Sequence, residues 1–354
     1  MIDSYVAASP LAGESVAIVS FDEDRSAWDA FVSDVPGSTF CHLAGWREIM
    51  ADVLGHDVPY MIAVDCTGKW QAVLPLVRVR SALLGDYLVS MPFLNAGGPI
   101  GTSAAVNALA REAAALGGRL GADLVELRSR ALVPSSLRVS QRKIAVRLEL
   151  PASSEELWHA FPSKLRSQIR RPMKEGLEAR FGLEQREAFY EVFARHMRDL
   201  GTPVLPPALF EQIATVFPHL VVFGAVYRGE RPVAAGGGFV WRDEFEMTWA
   251  SALREHHRLA ANMLLYWSFM QQMISRGVRA FDFGRCTLGA ATHQFKRQWG
   301  GVDVPLPWLQ WSPRHLTAPP TPHSPVFRVA SAVWRRLPLA VANRVGPLIA
   351  RQIP

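Results

Sequence analysis

Little in this chain can staple it or send it across a membrane. Its three cysteines, Cys41, Cys66 and Cys286, are odd in number, far apart and outside any CxxC spacing. That excludes a disulfide framework and offers no zinc site, and it fits a reducing compartment. No basic stretch leads into an apolar run at the N-terminus, so no secretory leader is expected. The longest run without charge, residues 87–110, is broken by Pro92, Asn95, Gly97, Gly98, Pro99, Gly101 and Asn107. A spanning helix needs about 20 largely apolar residues in one piece; this run reads as a strand, a turn and a helix start. The chain also lacks GxSxG, HExxH, GxxxxGK[ST] and GxGxxG, so hydrolase, zincin, P-loop and dinucleotide chemistry have no motif to rest on. The expected location is cytoplasmic, with at most the protein's surface meeting the inner membrane.

What the chain does have is apolar bulk and one uneven charge. Its 354 residues are 49% hydrophobic, with 11 Trp and 18 Phe, enough to build about two cores and to exclude general disorder. Six of the 38 Lys and Arg lie in residues 311–354 (Arg314, Arg328, Arg335, Arg336, Arg344 and Arg351), and none of the 32 Asp and Glu do. The whole net charge of +6 therefore sits in this tail. A neutral body argues against binding duplex DNA. Five prolines between Pro313 and Pro325 predict an extended linker into two short helices.

Hydrophobic periodicity predicts two blocks with the same order: helices, a meander of strands, a helix, a strand. In the first, helices at 25–35 and 44–54 precede strands at 58–64, 70–79 and 87–90, then a helix at 103–116 and a strand at 123–127. In the second, helices at 155–160, 164–174, 185–200 and 207–216 precede strands at 220–227, 232–241 and 244–250. A helix at 259–276, a strand at 280–283 and a helix at 292–299 follow. Gly68 and Gly229 sit between apolar runs and mark hairpins. The fold class is α+β with a duplicated module, and the expected domains are 1–150, 151–310 and a tail at 311–354.

Four segments could carry chemistry. Residues 281–300 read as a buried strand ending in a turn at Gly284, followed by a Gly-containing loop into a helix with Lys296 and Arg297. Exposed amides and cations there suit a phosphate or an oxyanion; an ordinary loop with two solvated cations is the alternative. Lys164, Arg166, Arg170, Arg171 and Lys174 fall within eleven residues with no acid until Glu175. They form either an anion-capturing surface or a solvated helix face, with a bend expected at Arg171 before Pro172. Gly97-Gly98-Pro99 reads most simply as a turn. His256 and His257 are adjacent, a poor spacing for a metal pair, so no metal is expected.

These residues together resemble a known group. The segments are Phe40-Cys41-His42-Leu43-Ala44-Gly45-Trp46-Arg47, Leu74-Pro75-Leu76-Val77, Gly97-Gly98-Pro99, Leu200-Gly201-Thr202-Pro203-Val204 and Leu259-Ala260-Ala261-Asn262. Phe281-Asp282-Phe283-Gly284-Arg285, Phe295-Lys296-Arg297-Gln298-Trp299-Gly300 and Leu337-Pro338-Leu339 complete the set. In this order the chain resembles the FemAB-related proteins associated with the PEP-CTERM/exosortase system, within the Fem-type acyl and aminoacyl transferases.

The resemblance implies tandem GNAT-like domains and transfer of an acyl, aminoacyl or peptidyl group to an amine of a cell-envelope or exopolysaccharide precursor. No cofactor is implied beyond the donor, aminoacyl-tRNA or acyl-CoA. It places Lys296 at the reaction centre with Phe295 beside it. Chemically, Lys296 can supply the cation for a tetrahedral oxyanion and Asp282 or His293 can accept the amine proton, although substrate-assisted transfer needs neither. Arg285, Lys164, Arg170 and Arg171 would hold an anionic substrate, with Gly284, Thr202 and Asn262 in the substrate site. Relatives usually continue FDFGR with Ser-Lys-x-Gly-Thr-Gly, whereas here Cys286-Thr287-Leu288-Gly289-Ala290-Ala291 follows, which implies an altered substrate or weakened activity. The pyrophosphate loop (Q/R)xxGx(G/A) of acetyl-CoA enzymes is not recognisable at Arg258-Leu259-Ala260-Ala261. Competing readings are an acyl-CoA-dependent N-acyltransferase and a non-catalytic scaffold of polysaccharide assembly. The partner is expected to be an anionic small molecule, glycan or peptide precursor, with tRNA as a further candidate. Residues 326–352 either lie on an anionic membrane as basic amphipathic helices or pack on the body with their arginines solvated.

Overall fold

The computed structural model describes residues 16–22, 24–81, 84–133, 135–313 and 325–354, the last segment with side chains from residue 328. The segment read for a leader and most of the proline-rich stretch lie outside these residues. Two compact units result, one within Met1–Lys143, Pro305–Thr321 and Arg351–Pro354, the other within Ile144–Val304 and Pro322–Ala350.

The first unit begins with β1 (Ala17–Ser20), α1 (Arg25–Asp34) and α2 (Gly45–Glu48). The side chain of Asp24 accepts from the Ser26 amide and so caps α1. Then come β2 (Met61–Val64), β3 (Trp70–Leu74), β4 (Val77–Ser81), β5 (Gly85–Val89), β6 (Ile100–Gly101), α3 (Ser103–Leu120) and β7 (Leu124–Leu127). The strand expected at 70–79 is in fact two. Pro75 has no N–H to continue a ladder, and the chain leaves the antiparallel sheet β1-β2-β3-β6 there to enter a second one, where β4 pairs with β5 and β5 with β7. Residues 309–311 return to pair antiparallel with β7. The alanine-rich face of α3 (Ala105, Leu109, Ala110, Ala113) closes the core against Leu74, Leu88, Val125 and Leu127.

The second unit is entered along β8 (Arg138–Glu149). It continues with α4 (Ser154–Ala160), α5 (Ser163–Lys174), β9 (Leu177–Phe181), α6 (Arg186–Leu200), α7 (Pro207–Val216), β10 (Val221–Arg228), β11 (Arg231–Trp241) and β12 (Glu244–Ala252). Next are α8 (Ala261–Ser275), β13 (Ala280–Thr287) and α9 (Ala291–Arg297), then α10 (Pro325–Trp334) and α11 (Leu339–Ala350). The sheet runs β8-β13-β12-β11-β10-β9. The hairpin expected around Gly229 is present, with Arg228 opposite Arg231 and Gly229 at φ +62°. α5 runs on through Pro172 to Lys174, although Pro172 has no N–H to give the Gln168 carbonyl. Burial explains α8: Met263, Leu264, Phe269, Met270 and Met273 are all inside one apolar cluster.

Both units repeat one arrangement: strand, helix, then a strand parallel to the first. β5, α3 and β7 do so in the first unit and β12, α8 and β13 in the second, each with three parallel residue pairs. Among the described residues no helix is long and apolar enough to cross a membrane.

Candidate functional site

The site grows from where β12 and β13 stop pairing. Glu244, Phe245 and Glu246 lie opposite Ala280, Phe281 and Asp282, and the parallel pairing of the two strands stops there. A pocket of about 400 Å³ is lined by Ala250, Ser251 and Ala252 of β12, by Ala261, Asn262, Leu265 and Tyr266 of α8, and by Phe295 of α9. His196 of α6 and His256 and His257, in the short 3-10 helix before α8, complete the wall.

Each element aims something useful inward. α8 starts abruptly: Ala260 adopts a left-handed conformation at φ +53° and gives α8 no side-chain cap. Met263 N–H bonds to Ala260 O, while among the described contacts the amides of Ala261 and Asn262 have no acceptor. Unpaired first-turn amides and the helix dipole together favour an anion, and the first turn contains no acid. The Tyr266 phenol is pushed well above its ordinary pKa by burial, so it stays a neutral O–H donor.

His196 has a defined tautomer. Its Nδ1 lies 3.1 Å from the carbonyl oxygen of Ala252, an acceptor only, so Nδ1 carries the proton and Nε2 keeps its lone pair. Burial lowers its pKa below the ordinary histidine value, opposed by the Ala252 bond and Asp199 and reinforced by Arg254 and His257. The ring is therefore neutral near pH 7.

The residues singled out from sequence divide into three groups. Phe295 and Asn262 line the pocket. Lys296, Gly284, Asp282 and Arg285 are brought together along β13. The strand does not end at Gly284 but passes through it at φ +72° and runs on to Thr287. Asp282 Oδ1 accepts from the Gly284 amide at 2.7 Å. Lys296 Nζ donates to the carbonyls of Gly284 at 2.7 Å and Arg285 at 3.0 Å. Burial pulls the lysine's pKa down, offset by Cys286, Asp282 and Glu246. His293 is tied up by Asp303 at 2.9 Å.

Lys164, Arg170 and Arg171 are exposed on α5 and Thr202 is exposed after α6; none lines the pocket. Arg170 stacks on Trp158, 5.0 Å from its ring centre. Arg166 donates to the carbonyls of Trp158, His159 and Phe161, which closes the C-terminus of α4. Sequence reasoning missed His196, Ser251 and Tyr266, which sit within apolar or helical stretches and carry no local signature. The alternation of residues in β12 would have put Ala250 and Ala252 on one face, yet nothing in the chain pointed to α6.

Residues 163–297 match the family model described as an acetyltransferase (GNAT) domain. Comparison with curated protein sequences gives no match. Among solved structures, FemX is 13% identical with a TM-score of 0.63, the match covering 88% of this chain and 99% of that one. A tandem GNAT protein from the clavulanic acid biosynthesis pathway is 9% identical with a TM-score of 0.53, covering 84% of this chain and 98% of that one. L-PGS from Bacillus licheniformis is 13% identical with a TM-score of 0.51, over 88% and 96% of the two chains. At such identities the likeness is one of fold, and the fold is a tandem GNAT-like one, as the resemblance implied.

Proposed function

We propose that the second unit transfers an acyl or aminoacyl group from an ester or thioester donor to an amine of an anionic cell-envelope or exopolysaccharide precursor. The observation that carries this reading is the pocket at the β12–β13 opening, where unpaired amides, a buried phenol and a neutral histidine converge. A phosphate-bearing arm of donor or acceptor suits the start of α8. The amine nitrogen attacks the acyl carbon and an N–C bond forms. His196 Nε2 takes the proton that the nitrogen sheds. The C–O or C–S bond then breaks, and the leaving oxygen or sulfur takes a proton from the imidazolium. Tyr266 O–H is suited to the oxyanion formed in between; one such donor typically contributes about 3–4 kcal/mol.

Lys296 acts in this scheme as a positioning residue. Two of its three N–H groups hold the β13 kink, and the preceding residue, Phe295, lines the pocket. Arg285, also on β13, and the exposed cations Lys164, Arg170 and Arg171 of α5 are assigned to approach of an anionic substrate, by long-range attraction.

The test is intact-mass analysis of envelope and polysaccharide precursors in cells lacking the gene, complemented with wild type or with His196→Gln. The expected result is a species heavier by one acyl group in wild-type cells, missing in both other strains; its mass separates an aminoacyl donor from an acyl-CoA one. A folded His196→Gln variant that restores the species would remove the histidine from the chemistry. Identical precursor pools with and without the gene would favour the scaffold reading instead.

A further inference from the structure

α11 meets its own unit with its smallest residues. Ala342, Gly346 and Ala350, four apart, are buried, and a Cβ on Gly346 would lie 3.0 Å from the Val204 backbone nitrogen. The larger apolar side chains point the other way. Val329 and Val333 of α10 and Val341, Val345, Leu348 and Ile349 of α11 are each between 37% and 65% exposed. Six of the thirteen exposed large hydrophobics among the described residues thus fall within 21 consecutive positions, 329–349. A helix recruited only to finish a core turns its larger apolar face inward; here both helices are docked and still show that face to solvent.

The charge around that face narrows the choice of occupant. Arg328, Arg336 and Arg344 are exposed and have no ion pair among the described contacts, and Arg344 shares its helical face with Val341, Val345 and Leu348 at i, i+3, i+4 and i+7 spacing. Arg335 is different, because it donates to the Leu200 carbonyl at 3.2 Å and helps hold α10 in place. No acid occurs anywhere in residues 311–354. A second copy of this chain would bring the same arginines against these and is disfavoured. A surface that is anionic and apolar at once is a bilayer with anionic headgroups. At about 1.5 Å per residue, helices of 10 and 12 residues reach roughly half of the 30 Å hydrocarbon core, so they suit the interface plane rather than a crossing.

We propose that the outward faces of α10 and α11 dock on an anionic membrane surface, valines and leucine at the acyl boundary and Arg328, Arg336 and Arg344 on lipid phosphates. The helices pack on the body with Arg328, Arg336 and Arg344 exposed, as one expectation for the tail had it; a membrane on their outward side is the proposal.

Co-sedimentation of the full chain with vesicles of equimolar phosphatidylglycerol and phosphatidylcholine, beside pure phosphatidylcholine vesicles, tests this. Wild type is expected to bind the anionic vesicles only, less so as salt rises. Val333→Asp/Val341→Asp and, separately, Arg336→Glu/Arg344→Glu are each expected to lower the partition coefficient by at least about tenfold, with circular dichroism and thermal melting unchanged. Failure of wild type to bind, or binding by both variants at the wild-type level, would overturn the proposal. So would a wild-type dimer in sedimentation equilibrium that Val333→Asp/Val341→Asp dissociates without any vesicle binding.

Discussion

The ammonium of Lys296 is 2.7 Å from the carbonyl oxygen of Gly284, on a strand that the same glycine kinks at φ +72°. Its second bond goes to the next carbonyl, that of Arg285. Replacing Lys296 by Met keeps the length and removes both donors, so two carbonyls lose a charge-assisted partner. The expected loss is about 1–3 kcal/mol, read as a lower denaturant midpoint with unchanged slope. Acyl transfer should fall more than stability explains, because Phe295 and the β13 kink are set by the same side chain.

His196 should leave its mark in the pH profile. Its pKa is lowered by burial, so kcat/KM is expected to hold flat through neutral pH and to fall only below the ordinary histidine range, as the imidazole becomes protonated and ceases to be a base. His196→Gln retains an N–H for the Ala252 carbonyl but has no base. It should abolish that acid limb and cost roughly 10²–10⁴ in kcat. An unchanged limb in the variant would assign the limb to another group.

How far the residues spoke for themselves depended on whether their signal was local. Gly68 and Gly229 announced their hairpins because a two- to four-residue turn is written in adjacent residues. The strand Val302–Trp311 was missed because Pro305 and Pro307 argue against one. β8 was missed for a different reason: charged residues such as Arg138, Arg142 and Lys143 interrupt its apolar pattern. Lys296 and Phe295 were singled out through resemblance, whereas His196 reaches the pocket only because α6 packs across β11 and β12. Several resembling segments turn out to hold structure. His42 and Gly98, 56 positions apart in the chain, are joined by one hydrogen bond, and Gly201 is where α6 ends in a left-handed cap.

In the first unit Arg128 and Glu126 form a buried pair at 3.0 Å. The guanidinium also donates to the carbonyls of Met91 and Leu94 and stacks on Trp308, while Glu126 accepts from Gln310. Arg128→Met leaves a carboxylate inside with its main cation gone, and is expected to cost about 3–5 kcal/mol. Glu126→Gln added to it should recover part of that loss, because the remaining polar group is neutral. Denaturant unfolding of the two single variants and the double variant gives the coupling directly; additive losses would mean the pair does not interact.

His42 predicts an acid sensitivity confined to one window. The Thr39 amide donates to its Nδ1 at 2.9 Å, so that nitrogen is the acceptor, and Nε2–H donates to the Gly98 carbonyl at 2.9 Å. A second proton would have to go on Nδ1, facing an N–H, in a fully buried ring. Burial accordingly lowers the pKa from 6.5 to about 4, against the opposing pull of the Gly98 and Thr39 backbone bonds. Between those two values the unfolded chain binds the proton and the folded chain does not, so stability rises with pH across the window and is lost as pH falls from 6.5 towards 4. The full effect is about 3 kcal/mol. His42→Gln can accept from Thr39 and donate to Gly98 without titrating. Urea unfolding across this window should therefore show a shallower loss for the variant than for wild type, and parallel curves would show that His42 does not control the acid transition.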